Sequence, residues 1–273
     1  MHVFPVKNIV HLAKKAGIRY RIGTSHRLYN LLNCNVLVNI SRKNSSLHES
    51  QLNLQLLQKI LQIKPFQLHK KEKGVSFSSS PLSLDEIYNL LNINLLDIST
   101  PVDNLLLKDK FNLILHPKSK GSAREWKLEN YLQLIELLPV TDFNVFISGT
   151  KEEAQQMEKT LLSKISSFPN VHNICGQLTL NQYITFISKC DGMLAASTGP
   201  LHIASILGKH ALGIFPPMPP IHPQRWQPIG KKVKIFCLDK KCSKCRKSRE
   251  CECMQSITPQ QIQQYLMSIT SHF

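Results

Sequence analysis

Between residues 111 and 215 short apolar runs alternate with longer stretches whose apolar side chains recur at helical spacing, and no other feature narrows the fold as far. Residues 111–115, 143–147, a short segment ending at Ile174, 193–196 and 211–215 read as strands. Leu128, Tyr131, Leu132, Ile135 and Leu138 form one helical stripe, closed by Pro139; Ala154, Met157, Leu161, Leu162 and Ile165 form the next. Further helices are expected around Tyr183, Ile184 and Ile187 and over 201–207. Strand and helix in regular alternation predict an α/β fold with a parallel sheet covered on both faces. In such sheets ligands bind beyond the carboxyl ends of the strands, so the strand-to-helix loops are where chemistry belongs.

Three loops bear on it. The first, His116-Pro117-Lys118-Ser119-Lys120-Gly121-Ser122-Ala123-Arg124-Glu125-Trp126, leaves a strand carrying hydroxyls, a glycine and three cations, a set that suits a phosphate: hydroxyl and backbone donors supply hydrogen bonds, Lys118 and Arg124 supply charge. A solvated basic loop is the plain alternative, and Trp126 reads as a core plug. The second, Ser197-Thr198-Gly199-Pro200-Leu201-His202, joins an apolar strand to a helix with a capping hydroxyl and a proline in the first turn. Proline there removes no helical hydrogen bond, and the free amides with their aligned dipoles favour an anion. The alternative is an ordinary capped helix with a structural His202. In the third, Ser148-Gly149-Thr150-Lys151-Glu152-Glu153, an acid after the second strand suits ribose hydroxyls, or simply favours the helix start.

The first hundred residues are less regular. A helix is expected over 9–15 with Gly17 as its stop, a strand over 35–40 and a helix over 47–61; residues 69–80, basic and then Ser-rich, read as a joint. The chain of 273 residues is long enough for one or two domains, and 34 Lys and Arg against 18 Asp and Glu leave a formal charge of +16. Such a field attracts nucleic acid, anionic lipid or phosphorylated glycans without choosing among them. No run approaches the roughly 18 apolar residues of a membrane span and the start lacks a signal-peptide pattern, so a cytoplasmic location is expected. Cys34, Cys175, Cys190 and Cys237 then read as buried thiols rather than disulfides. Cys242, Cys245, Cys251 and Cys253 have metal-like density, although Cys251 and Cys253 are only two apart; zinc, reduced surface thiols and an adventitious disulfide all remain open. Around them Lys240, Lys241, Lys244, Arg246, Lys247 and Arg249 make a basic loop, which suits an anionic membrane face or simply solubility.

Together these strings resemble glycosyltransferase family nine, the ADP-heptose:lipopolysaccharide heptosyltransferases. The loop from His116-Pro117 through Arg124-Glu125-Trp126 to Tyr131 is similar to that family's phosphate loop, and Ser197-Thr198-Gly199-Pro200-Leu201-His202-Ile203-Ala204 to its second signature. Similarity reaches back to residues 16–23 and 48–54 and forward through 216–223, covering nearly the whole chain. The resemblance implies a GT-B architecture of two Rossmann-like domains, with an incomplete acceptor-side domain over 1–105 and a nucleotide-sugar-binding domain over 106–273. By position it puts Ser119 and Arg124 on the donor phosphates with Lys118 close by, Leu178 against the base, Glu152 or Glu153 near the ribose, and Ser197, Thr198, Gly199, Pro200 and His202 around the pyrophosphate and sugar. No metal and no cofactor beyond the donor substrate, ADP-heptose or another nucleotide sugar, is implied.

Two departures matter. Ser197 stands where many members have an Asp that holds sugar hydroxyls. The family's opening strand and Gly-Asp loop, whose acid is the proposed base, have no counterpart before Met1-His2-Val3, which leaves the catalytic residue unassigned. Loss of such a base costs roughly two to four orders of magnitude in rate. The expected function is therefore inverting transfer of a heptose or related sugar to an anionic glycolipid of the lipopolysaccharide-core type, with peripheral membrane contact. The first alternative is a non-catalytic nucleotide-sugar-binding remnant. The second is a basic zinc-containing nucleic-acid-binding protein, disfavoured because no aromatic-interleaved basic strand occurs, so no nucleic-acid partner is expected.

Overall fold

A computed structural model of the chain describes residues 6–42, 45–61, 83–90, 98–219, 221–239, 242 and 252–270. The chain divides into two compact units, Met1–Ile87 and Tyr88–Phe273.

In the first unit, α1 (Lys7–Lys15) stops as its glycine dictates. Gly17 takes φ +65°, its amide reaches the Lys14 carbonyl at 3.1 Å, and the Ile18 amide reaches Ala13 at 3.2 Å, the paired bonds of a Schellman cap. There follow β1 (Ile22–Thr24), α2 (Leu28–Asn33), β2 (Val36–Val38) and α3 (Glu49–Leu61). β1 and β2 pair in parallel with Ile22 opposite Val36. Ile22, Ile40, Leu52 and Leu56 make the small core. β1 has no counterpart in the sequence pattern, because three residues flanked by Arg21 and Ser25 are too short to show a period. The joint expected at 69–80 lies outside the described residues.

α4 (Leu84–Leu90) crosses the division between the units. The division falls ahead of the boundary expected at 105, because residues just before 105 pack into the second unit: Val102 is buried against Ile114 and Phe186, and Asp103 pairs with Lys189 at 2.6 Å.

The second unit runs β3 (Phe111–His116), α5 (Leu128–Leu137), β4 (Phe143–Ile147), α6 (Lys151–Met157), a π-helical turn at Glu158–Leu162, α7 (Ser163–Ile165), β5 (Val171–Asn173), α8 (Leu180–Lys189), β6 (Gly192–Ala196), α9 (Gly199–Ile206), β7 (His210–Ile214), α10 (Pro223–Trp226), β8 (Val233–Phe236), α11 (Glu252–Gln255) and α12 (Pro259–Thr270). All six strands are parallel in the order β5-β4-β3-β6-β7-β8. Period-two alternation gives each face its core. Phe111, Leu113, Leu115, Val145 and Ile147 join one apolar cluster, while Ile114, Phe146, Met193 and Ala195 join the other. Trp126 is the plug its position predicts: it is buried, its Nε1 donates to the Ile257 carbonyl at 2.9 Å, and its ring meets Tyr131 edge-on. The edge strand β8 is absent from the sequence reading; it is short, half-buried and interrupted by Lys234.

Because β3 and β6 are neighbours whose chains then wind in opposite directions across the sheet, the loops after them part at their carboxyl ends. That switch point is where a doubly wound sheet opens a crevice.

Candidate nucleotide site

The second unit's α9 begins inside this crevice. Thr198 occupies the N-cap position with extended backbone, φ −125°, and proline sits in the first turn. The expected capping hydroxyl does not cap: Thr198 is 6% exposed, yet its Oγ1 makes no cap bond and has no hydrogen-bond partner. Burying a hydroxyl unsatisfied costs about 1–3 kcal/mol, a cost that a ligand oxygen would remove. A side chain built at Gly199 would meet nothing within 4 Å, so the approach to the helix start is open.

The loop after β3 is held in shape by two carboxylates. Glu125 accepts from the Ser119 amide at 2.9 Å and the Ser119 hydroxyl at 2.8 Å, and it pairs with the Lys118 ammonium. Within the loop, the Ser122 amide closes a turn onto the Ser119 carbonyl at 2.9 Å while Lys120 and Gly121 take φ +48° and +77°. Glu153 accepts from the Lys120 amide at 3.1 Å and completes a capping box with Thr150, tying this loop to the start of α6.

Two adjoining cavities share Ser122, Thr198 and Gly199. One, of about 600 Å³, lies between the ends of β3 and β4 and the start of α8; Ser119, Lys120, Lys151, Glu152, Leu178 and Pro200 are among its walls. That volume suits a nucleotide. Part of its lining is a polar cluster: the Ser148 hydroxyl stands 2.7 Å from the Tyr183 hydroxyl and 3.0 Å from His116 Nδ1. Burial pulls His116 below the ordinary histidine value, although the carboxylates of Glu153 and Glu125 and a hydrogen bond at Ser148 act the other way. Burial likewise pushes the Tyr183 hydroxyl above its ordinary range. The second cavity, of about 410 Å³, is walled by Arg124, Ser197, His202, Pro216, Arg225 and Trp226.

The sequence-expected residues therefore sort cleanly. Ser119, Glu152, Leu178, Thr198, Gly199 and Pro200 line the first cavity; Arg124, Ser197 and His202, with Thr198 and Gly199, line the second. Of the two acids considered, Glu153 is buried and engaged by the loop, whereas Glu152 is exposed at the cavity edge, its carboxyl held below the usual range by its own amide and the Thr150 hydroxyl. Lys118 lines neither cavity; it borders a separate space of about 820 Å³. His116 and Ser148 entered the sequence reading only as the opening residues of two of the loops, and Tyr183 and Arg225 carried no site argument. For His116 and Ser148 a signal existed, since both stand at the carboxyl end of a strand, whereas Tyr183 and Arg225 arrive only through packing.

Among the described residues no three His, Cys, Asp or Glu gather into a metal-holding group, and no helix is long and apolar enough to cross a membrane. Cys34 and Cys190 are buried, and Cys175 and Cys237 are partly buried. Of the cysteine cluster, Cys242 and Cys253 pack on the core, while Cys245, Cys251 and the basic loop around them lie outside the described residues.

A six-stranded parallel sheet in this order, opening at its switch point onto paired cavities around a helix start, defines an α/β chain of the GT-B fold class. The chain belongs to glycosyltransferase family 9, the heptosyltransferase family, whose sequence profile matches residues 9–255. It is 27% identical to the lipopolysaccharide core heptosyltransferase OpsX of Haemophilus influenzae over 127 residues, 46% of this chain and 36% of that protein. It is 23% identical to lipooligosaccharide heptosyltransferase 2 of Campylobacter jejuni over 201 residues, 71% of this chain and 61% of that protein. The match thus spans less than two thirds of either relative. In structure it resembles Escherichia coli ADP-heptose lipopolysaccharide heptosyltransferase II, with a TM-score of 0.65 over 97% of this chain and 74% of that one at 15% identity. It also resembles E. coli heptosyltransferase WaaC with ADP, with a TM-score of 0.53 over 87% of this chain and 60% of that one at 12% identity. These structural likenesses speak to fold.

Proposed function

We propose that this chain binds a nucleotide-diphosphate sugar, ADP-heptose or a related donor, and transfers the sugar with inversion to an anionic glycolipid of the lipopolysaccharide-core type. The observation that carries the reading is the buried, unpartnered Thr198 hydroxyl at the start of α9, in the same cavity wall as Arg124. Placed there, a diphosphate receives the hydroxyl, the open amides of the first turn and a guanidinium, and its departure from the anomeric carbon is stabilised by groups already in position. The nucleoside then occupies the cavity walled by Leu178, with Glu152 beside the ribose and the polar cluster of His116, Ser148 and Tyr183 in its lining. Family membership and the heptosyltransferase names of the relatives support the sugar class. Because Arg124 and the helix start neutralise the leaving group, the step needs no metal. Peripheral contact with the anionic membrane face brings the acceptor within reach.

The test is transfer followed by mass spectrometry, with ADP-heptose and a deacylated core acceptor, alongside calorimetric titration of ADP. Product formation supports the transferase. ADP binding without product, at any enzyme concentration, leaves a nucleotide-sugar-binding protein instead.

A further inference from the structure

His116 is the last residue of β3 and lies opposite Ala195 of β6, just ahead of Thr198 and the start of α9. On its other side β3 pairs with β4, which Ser148 follows. The imidazole therefore stands in the cavity wall between the place given to the diphosphate and the place given to the nucleoside. It is 8% exposed, and its hydrogen bonds go through one nitrogen: Nδ1 lies 3.0 Å from the Ser148 hydroxyl and 3.5 Å from the Tyr183 hydroxyl. Those two hydroxyls are 2.7 Å apart, which fixes the ring edge. Among the described residues Nε2 makes no hydrogen bond.

The partners at Nδ1 suit either charge state of the ring. A carboxylate there would hold it charged, whereas a hydroxyl donates to a neutral imidazole and accepts from a charged one. The charges around it are mixed. Glu153 from α6 and Glu125 from the loop after β3 favour the charged form, and burial outweighs them. Lys120, Lys151 and Glu152 line the same cavity, while α9 brings Thr198, Gly199 and Pro200, none of them charged. Tyr183 from α8 and Cys175 after β5 stay uncharged, because burial pushes hydroxyl and thiol above their ordinary ranges. The free protein thus holds His116 neutral at neutral pH, and a diphosphate laid beside it adds the negative charge that would favour its protonation.

Resting on the donor reading above, we infer that His116 contacts the donor through Nε2, donating to the phosphate that carries the nucleoside, and takes up a proton as the donor binds. Arg124 and the start of α9 hold the diphosphate from one side, and the donor's own charge recruits the third cation from the other. The sign follows from linkage. Binding raises the histidine's value, so affinity increases as pH falls through the bound value toward the free one, and each unit of that rise is worth tenfold.

ADP-heptose is titrated calorimetrically into the full chain, His116→Gln and His116→Asn, at two pH values and in two buffers of different ionisation enthalpy. Both its phosphates are diesters with no proton to exchange near neutral pH, so buffer-dependent heat counts the protons taken up by the protein. The wild type is expected to gain a substantial fraction of a proton at about pH 7 and to bind about fivefold or more tighter at about pH 6 than at about pH 8. Gln sets an uncharged donor near the Nε2 position, so H116Q keeps affinity within about threefold at about pH 8 but takes up no proton. Asn reaches only the Nδ1 position, so H116N takes up none and binds about tenfold more weakly than H116Q. Uptake that survives in either variant belongs to another group, such as His202 in the adjoining cavity, and overturns the inference. Binding by the wild type without uptake overturns it as well, and equal affinities of H116Q and H116N overturn the contact; in all three cases the donor reading stands. If the wild type does not bind ADP-heptose, the donor reading itself fails, and this inference with it.

Discussion

Lys118 and Glu125 form an ion pair at 2.5 Å, and neither lines the cavity under Leu178 or the one beside Arg124. The loop's first cation thus serves the loop's own conformation, with Glu125 gripping Ser119 through its other oxygen. Both partners are partly solvated, so the pair contributes at most about 1 kcal/mol. Lys118→Ala is expected to change ADP affinity by less than about threefold in a calorimetric titration, because Glu125 keeps its bonds to Ser119.

Thr198→Val gives effects of opposite sign on folding and binding. Valine keeps the shape and removes a hydroxyl that has no partner in the free protein, so thermal unfolding should show an unchanged or higher Tm. Loss of a bond to a charged phosphate oxygen should weaken ADP by about tenfold or more. A drop in Tm together with unchanged affinity would mean that the hydroxyl serves the fold and not the ligand.

Gly176 is required where β5 turns into the cavity wall. It takes φ +67°, and a Cβ there would lie 2.3 Å from Lys151 Cγ and 3.2 Å from the Lys151 amide. Gly176→Ala should therefore cost about 1–2 kcal/mol in backbone strain alone, lowering Tm by about 2–8 °C, and should displace Lys151 enough to weaken ADP. Differential scanning calorimetry with and without ADP measures both.

Stability should decline in mild acid. Burial holds His116, His172, His210 and His222 below the ordinary histidine value, helped at His210 by Lys232 and at His222 by Arg225. The unfolded chain then binds protons that the native state excludes, so stability is fully present above the unfolded value of about 6.5 and is lost as pH falls from there toward the folded values. The urea midpoint should be lower at about pH 5.5 than at about pH 7.5. His116→Asn should shrink that difference, since Asn has no proton to gain.

Transfer and ADP binding should survive EDTA. On the proposed reading Arg124 and the α9 start supply the positive field at the leaving group, so chelation is expected to leave the initial rate within about twofold. A rate restored only by added Mg²⁺ would assign the neutralising role to a metal.

Legibility in the sequence tracks the length of the pattern. The strand and helix alternation from Phe111 is long and periodic, and the elements there match its reading within a few residues. β1 and β8 escape because strands of three or four half-buried residues leave no period to detect. At the site, the meeting of the Arg124 loop with the Thr198 helix start comes from strand order in a doubly wound sheet, which local sequence signals. Side-chain destinations do not: Lys118 looks identical to Arg124 as a loop cation until Glu125 is seen to hold it. The Ser148, His116 and Tyr183 cluster joins three elements distant in sequence, and only packing brings them to one point.

The central claim is that Arg124 and the start of α9 hold the donor diphosphate between them. Calorimetric titration of ADP and UDP into the wild type and into Arg124→Ala tests it most directly. The account predicts saturable binding of at least one nucleotide to the wild type, weakened at least about tenfold in R124A with the fold intact by circular dichroism. Equal affinity in the two proteins would contradict it.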